Sequence, residues 1–354
     1  MRTIIIMNIK YEREIRYAEL LTPLKGYELE RQIVEHRFDP LTHKRTVITT
    51  GRFHLIKRLF ESDPNEIQNI VEMTKSNCPF CPERLESMTP KFPSNLFKEG
   101  VIKLGDATLF PSLFSHMDYN AIVVLGKEHY LQLREIAPNK IHSAFQVGQT
   151  FLRKLYDLNR KKIYASFIVN YFPLSGSTII HPHMQVIASD MSFQLLDELL
   201  SNSFVYYSRV KSNYWADLIK EEESSERFVG KVDEVTWFTP FAPYNTYEVW
   251  GVHEKVSNLL EISDQGLKGF SQGLSKVLSF YQEEGLSCFN ILLYSGPLGE
   301  SSDRYFRLGI RIIGRSGYRK PFVSDLWGLQ SVMNEGEAYD TPENTALKLR
   351  KYFQ

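Results

Sequence analysis

The sequence predicts an α+β protein built from a duplicated unit. Three observations carry this expectation. HKRTVITTGR at 43–52, NAIVVL at 120–125, YASFIVN at 164–170 and MQVIA at 184–188 are short β-branched or apolar runs with turn residues nearby, as strands should be. Residues 139–162 carry Ile141, Phe145, Leu152, Leu155 and Tyr156 at spacings that fit one helical face. The order of elements then recurs. SHMDYNAIVVLGKEHYLQLREI is answered by TPFAPYNTYEVWGVHEKVSNLLEI, and each is followed by a helical pattern and an apolar strand, FIVNY in the first and FNILLY in the second. Tyr119-Asn120 and Tyr244-Asn245 mark the two copies. Residues 1–225 are expected to form one half and 226–354 the other, with the charged run KEEESSER as a solvated helix end or connector between them.

With 354 residues, 43% hydrophobic and 24% charged, the chain suits two domains or one double-sized fold with a sizeable core. Its 42 Lys and Arg balance 42 Asp and Glu, so no global field draws it to nucleic acid or an anionic membrane, although a local basic pocket could still serve a phosphate. A zinc-dependent nucleic-acid binder would need a basic, aromatic-interleaved stripe that the sequence lacks. No run approaches the roughly 20 apolar residues of a membrane helix. The opening MRTIIIMNIK is apolar for only a few residues and has no small-residue cleavage site, so a cytoplasmic protein is expected. Three cysteines, an odd number, argue against a disulfide framework. Cys78 and Cys81, close together in CPFC, suit a metal; Cys288 in SCFNILLY suits the core.

The chemistry concentrates in LSGSTIIHPHMQVIAS at 174–189. Alternate side chains of a strand share a face, so His181, His183 and Gln185 should converge, with Pro182 and Met184 opposite. A neutral imidazole is a good nucleophile near neutral pH, and the proline between the histidines removes one ladder donor and pins the backbone. Just upstream, Ser175, Gly176, Ser177 and Thr178 form a polar turn that can offer hydroxyls and backbone N–H groups to phosphate oxygens. In CPFC both thiolates can reach one zinc ion at about 2.3 Å, and a closed site needs two more ligands, for which His129 in GKEHYLQL and His181 are candidates. The second copy has YFRLGIRIIGR where the first has IIHPHMQVIAS, so only the first should be catalytic.

These residues resemble the galactose-1-phosphate uridylyltransferase group of the histidine-triad superfamily. The resemblance runs from EHRFDPLTHKRTVITTGR through CPFCPE, LFPSLFSH, GKEHYLQL and HPHMQ to TPFAPYNTYEVW and NTALKLRKYF, and HPHMQ with the upstream Asn170 and Gly176 is its most specific piece. It implies a duplicated histidine-triad-like fold, with two antiparallel sheets and helices packed against them, and a nucleotidyltransferase acting by double displacement. On that resemblance His183 attacks the α-phosphorus of a nucleotide sugar and carries the nucleotidyl group, and Gln185 hydrogen-bonds the phosphoryl oxygens. Thr178 stands where the group often has a phosphate-binding serine, and Cys78, Cys81, His129 and His181 match its structural zinc ligands. A glutamine cannot exchange a proton, which favours a covalent intermediate awaiting a phosphate acceptor over one lost to water. Arg37 and Arg52 offer counter-charges for substrate phosphates. The resemblance also implies a homodimer with the active site near the subunit interface. A sugar 1-phosphate is the first acceptor to consider. The rivals are a phosphorylase of ADP-glucose or a dinucleoside polyphosphate, which uses inorganic phosphate, and a non-catalytic nucleotide-sugar sensor.

Three departures from the pattern bear on specificity. FPSLF puts Ser112 and Leu113 in the base-reading stretch, where a polar pair is usual, so a relaxed or purine-directed base preference is expected. Gly309, Arg311 and Tyr294 stand where a second metal would find ligands, so no second metal is expected. LWGLQSVMNEGEAYDTP replaces the residues that would read hexose hydroxyls.

Overall fold

The computed structural model describes residues 9–354, so the apolar opening taken above as too short for a targeting segment lies, over residues 1–8, outside the described residues. The described chain begins with a long hairpin in which β1 (Glu12–Thr22) pairs with β2 (Glu28–Phe38) along its whole length. β3 (Arg45–Ile48) adds antiparallel to β2. The rest of the run expected as a strand, Thr50–Arg52, is instead a 3-10 turn leading into α1 (Phe53–Phe60). Helices α2 (Pro64–Lys75) and α3 (Pro82–Met88) both start on a proline, which sits there without forfeiting a helical hydrogen bond.

The first repeat then runs β4 (Ile102–Leu104), β5 (Ala107–Pro111), β6 (Tyr119–Val124), α4 (Pro138–Asn159), β7 (Tyr164–Tyr171) and β8 (His183–Ser189). After α5 (Gln194–Val210) and α6 (Tyr214–Glu223), the second runs β9 (Phe228–Val232), β10 (Val235–Phe238), β11 (Glu248–His253), α7 (Asp264–Glu283), β12 (Phe289–Tyr294) and β13 (Gly309–Gly314). The two units are joined edge to edge in one ten-stranded sheet of order β4-β5-β6-β8-β7-β12-β13-β11-β10-β9. Read outward from its centre, that order repeats element for element, so the duplication expected from the sequence is present. The Tyr-Asn pairs are less regular: Tyr119 and Asn120 open β6, whereas Tyr244 and Asn245 precede β11.

The repeats meet where β7 pairs antiparallel with β12, Ile168 opposite Leu292 and Asn170 opposite Asn290. Alternation divides the faces there. Phe167, Val169, Tyr171, Ile291 and Leu293 are buried in the main core shared with α4 and α7, while Ile168, Asn170, Asn290 and Leu292 are half-buried on the other face. After α8 (Gly328–Ser331), β14 (Gly336–Ala338) returns to lie parallel to β3, and α9 (Pro342–Leu349) follows. The second sheet, β1-β2-β3-β14, is thus assembled from both ends of the chain, and its last pairing is parallel where the sequence suggested antiparallel strands throughout. Among the described residues, no helix is long and apolar enough to cross a membrane.

Candidate functional site

Cys78, Cys81, His129 and His181 are brought together from three segments, and their ligand atoms all lie within 4.8 Å of one another. Cys81 caps the start of α3, His129 follows β6, and His181 precedes β8. Cys81 Sγ is 3.5 Å from Nδ1 of His129 and 3.8 Å from Nδ1 of His181, and Cys78 Sγ is 3.9 Å from the latter. Tetrahedral zinc bonds to sulfur and nitrogen give edges of about 3.5–3.8 Å, so the donors fit such an ion.

The surroundings fix which ring nitrogen is offered. Nε2 of His181 donates to the Gly126 carbonyl at 2.9 Å. Thr74 gives its hydroxyl proton to the Ile70 carbonyl, so its oxygen accepts from Nε2 of His129 at 3.0 Å. Both histidines are left with an Nδ1 lone pair toward the thiols, the outer-shell arrangement that orients metal-binding imidazoles. Burial pushes the His181 imidazole down to about 4, against the opposing pull of the Gly126 carbonyl, which keeps the ring neutral.

His183 opens β8 opposite Val124. Its Nδ1 donates to the His181 main-chain carbonyl at 2.8 Å, which leaves the lone pair on Nε2. Burial holds the imidazole below its ordinary range, opposed by that same carbonyl. Phe80, between the two cysteines, packs edge-on against the His183 ring at 5.3 Å between centroids and lies 6.3 Å from the His181 ring. Gln185 stands between Ile122 and Ile168 in the ladder, so it shares the face of His183 as the alternation predicted.

Asn170 lies on that face one strand away, in the wall of a cavity of about 790 Å³. Ile168, Asn290, Leu292, Arg311 and Ile313 form its floor, with Lys44, Glu198 and Tyr244 around it. The turn from 175 to 178 is built differently from expectation. Phe172 takes φ +69°, which a bulky residue rarely adopts, and its carbonyl accepts from the Ser175 hydroxyl at 2.7 Å. The Ser175 hydroxyl also approaches the Tyr171 carbonyl, and the Ser177 hydroxyl donates to the Ile179 carbonyl at 2.7 Å. Both serines therefore hold the turn through their side chains. Gly176, at φ +92°, and Thr178 are the exposed members that can face a ligand.

Arg37 differs more sharply from its expected role. It is buried, with its guanidinium 2.8 Å from both Glu35 and Glu343 and over the ring of Phe241 at 4.8 Å. That charge is paired within the fold and is not left free on the surface. Arg52 ends the 3-10 turn before α1, and its side chain lies outside the described residues. Ser112 and Leu113 follow β5, the Ser112 hydroxyl donating to the Phe114 carbonyl at 2.9 Å while Leu113 is 69% exposed; neither lines the cavity over Asn170.

The second repeat has the same frame with different contents. Val252 pairs with Gly309 as Val124 pairs with His183, and Trp250 pairs with Arg311 as Ile122 pairs with Gln185. A Cβ at Gly309 would collide with the Tyr294 hydroxyl, so a histidine there would require Tyr294 to move. Arg311 is held by Glu248 at 2.7 and 2.9 Å. Phe80, Asn290 and Arg315, which complete the surroundings of the site, were not singled out from the sequence. Only Phe80 carried a signal, its place inside CPFC.

No family model matches the chain. An uncharacterized protein of Archaeoglobus fulgidus is 29% identical over 345 residues, 97% of this chain and 98% of that one. Among solved structures, a GalT-like protein from Arabidopsis thaliana superposes with a TM-score of 0.69 at 15% identity, over 89% of this chain and 98% of its own. An ADP-glucose phosphorylase from the same plant, with bound ADP-glucose, gives 0.69 at 16% identity over 90% and 99%. A uridylyltransferase gives 0.67 at 19% identity over 90% and 98%. The fold is that of the GalT-like proteins, as the motifs suggested.

Proposed function

We propose that this chain is a nucleotidyltransferase of the uridylyltransferase type, which moves an NMP group from a nucleotide sugar to a second phosphate through a covalent intermediate on His183. The observation that carries the reading is the 2.8 Å hydrogen bond from His183 Nδ1 to the His181 carbonyl, which leaves Nε2 unprotonated on the face that bears Gln185 and Asn170. In the first step Nε2 attacks the α-phosphorus. The N–P bond forms as the bond to the bridging oxygen breaks, and the sugar phosphate leaves as an anion with that electron pair. The ring becomes cationic, and the His181 carbonyl, still accepting from Nδ1–H, stabilises the charge. In the second step an oxygen of the acceptor phosphate attacks phosphorus, and Nε2 leaves with its lone pair. No net proton is transferred, which suits a glutamine at 185. The proposed acceptor is a sugar 1-phosphate; inorganic phosphate, the acceptor of the alternative phosphorylase reading, would complete the cycle by the same chemistry.

We read the Cys78, Cys81, His129 and His181 cluster as a structural zinc site, because four protein donors leave no position open for substrate. Zinc there would tie the CPFC loop to the catalytic strand. Asn170, Gly176, Thr178 and Gln185 are proposed to contact the phosphoryl oxygens, Ser175 and Ser177 to shape the turn beneath them, and the loop bearing Ser112 and Leu113 to meet the base. The halves 1–225 and 226–354, a homodimer and a cytoplasmic setting belong to the same proposal.

The test is intact-protein mass after incubation with UDP- and ADP-sugars. A gain of one nucleotidyl group by the wild type and none by His183→Ala is expected. Binding without any mass gain would instead make the chain a nucleotide-sugar-binding protein. Discharge of the labelled protein by sugar 1-phosphates or by inorganic phosphate then identifies the acceptor.

A further inference from the structure

We propose that Asn290, in the repeat that lacks the histidines, is a positioning residue for the other repeat: it turns the amide of Asn170 so that Nδ2, a donor, is the atom offered to the phosphoryl group. The proposal rests on the nucleotidyl-transfer reading above.

The orientation of Asn290 is forced by groups that cannot change role. On one side the Arg315 guanidinium, a donor only, reaches Oδ1 of Asn290 at 2.7 Å. On the other side the Ser175 carbonyl, an acceptor only, lies 2.8 Å from Nδ2. The Nδ2 amide is therefore toward β7, and it also meets Asn170 at 2.6 Å. The atom of Asn170 that faces it must be the acceptor Oδ1. Nδ2 of Asn170 then has no partner among the described residues, and Asn170 lines the cavity.

Arg315 is itself fixed. Its Nε lies 3.0 and 3.1 Å from the two carboxylate oxygens of Asp325, which also accepts from the Ser316 N–H and hydroxyl at 2.9 Å and from the Asn245 amide. Arg315 and Asp325 are 7% and 2% exposed, so water does not compete for these bonds. A chain Asp325–Arg315–Asn290–Asn170, buried at its Asp325 and Arg315 end and half-buried at the asparagines, thus runs from the second repeat into the first. It explains a use for the second repeat that does not need its lost histidines.

Asn290→Asp keeps an acceptor for Arg315 but presents oxygen to Asn170, whose amide should flip and put Oδ1 toward the phosphoryl group. Transfer to His183 from a UDP- or ADP-sugar, whichever labels the wild type, should fall about 10- to 100-fold, the scale of one hydrogen bond to a charged group. Asn170→Ala should cost a similar factor, and the double variant no more than Asn170→Ala alone, because Asn290 acts only through Asn170. Fully multiplying losses, or an Asn290→Asp rate within twofold of wild type, would overturn the proposal. If Asn290→Asp does not fold, Asn290→Ser, which removes the same contact without adding charge, replaces it in the cycle under the same criteria. Absence of labelling in the wild type would instead refute the nucleotidyl-transfer reading itself.

Discussion

The main-chain oxygen of His181 accepts from Nδ1 of His183 at 2.8 Å, while the ring of His181 turns its own Nδ1 to Cys78 and Cys81. One residue thereby sets the tautomer of His183, the proposed nucleophile, with its backbone and anchors that backbone to the Cys2His2 cluster with its side chain. Metal content and transfer should consequently fall together. Cys78→Ser, or exhaustive chelation of the wild type, is expected to remove the ion and lower the thermal midpoint by about 10 °C or more, since metal binding at a structural site contributes directly to folding. Elemental analysis beside calorimetry checks this, and metal-free protein with an unchanged midpoint would refute it.

Phe80 couples the same loop to His183 by packing. It is buried with Phe110 and Val124 and lies edge-on to His183. Truncation to alanine should cost about 3–5 kcal/mol of stability by opening a cavity, whereas Phe80→Leu should cost less than about 1.5 kcal/mol. Labelling of His183 should slow markedly in the alanine variant and little in the leucine one. Denaturant titration and labelling rates decide the matter, and equal labelling by both variants would detach Phe80 from the site.

Arg37 gives a prediction opposite to its sequence-level reading. Its removal takes a buried partner from Glu35 and from Glu343, while Glu343 keeps Arg227 at 3.3 Å, so Arg37→Ala should destabilise the protein by about 1.5–3 kcal/mol, the range for hydrogen bonds to charged groups. The KM for a nucleotide sugar should stay within about twofold of wild type, about 0.4 kcal/mol. A raised KM at unchanged stability would return Arg37 to the substrate.

Base selectivity should be shallow. The Ser112 hydroxyl is engaged by the Phe114 carbonyl and Leu113 offers no hydrogen bond, whereas a dedicated polar reader can discriminate by about a thousandfold or more. Labelling rates from UDP-, ADP- and GDP-sugars under equal conditions are the comparison. A uridine preference of about a thousandfold would require a polar reader elsewhere in the pocket.

Most of the candidate site was legible because its chemistry is local. HPHMQ places His183 and Gln185 on one strand face by periodicity alone, and CPFC sets two thiols at a fixed spacing. The duplication was legible as a repeated order of elements. Ser175 and Ser177 were legible as a polar turn but not as its internal braces, because which group a hydroxyl meets depends on the backbone path around Phe172.

The sequence by itself determined the residue types, the strand and helix periods, and therefore which side chains share a face. Tertiary structure alone decided partners drawn from far along the chain. Asn290 meets Asn170 across 120 positions because β12 lands beside β7 in one particular register. Arg37 meets Glu343 across 306 positions because β2 and the start of α9 pack together beside Phe241 and Arg227. A charge or an amide carries no mark of its partner, and a shift of one residue in a strand register would send it to the opposite face of the sheet.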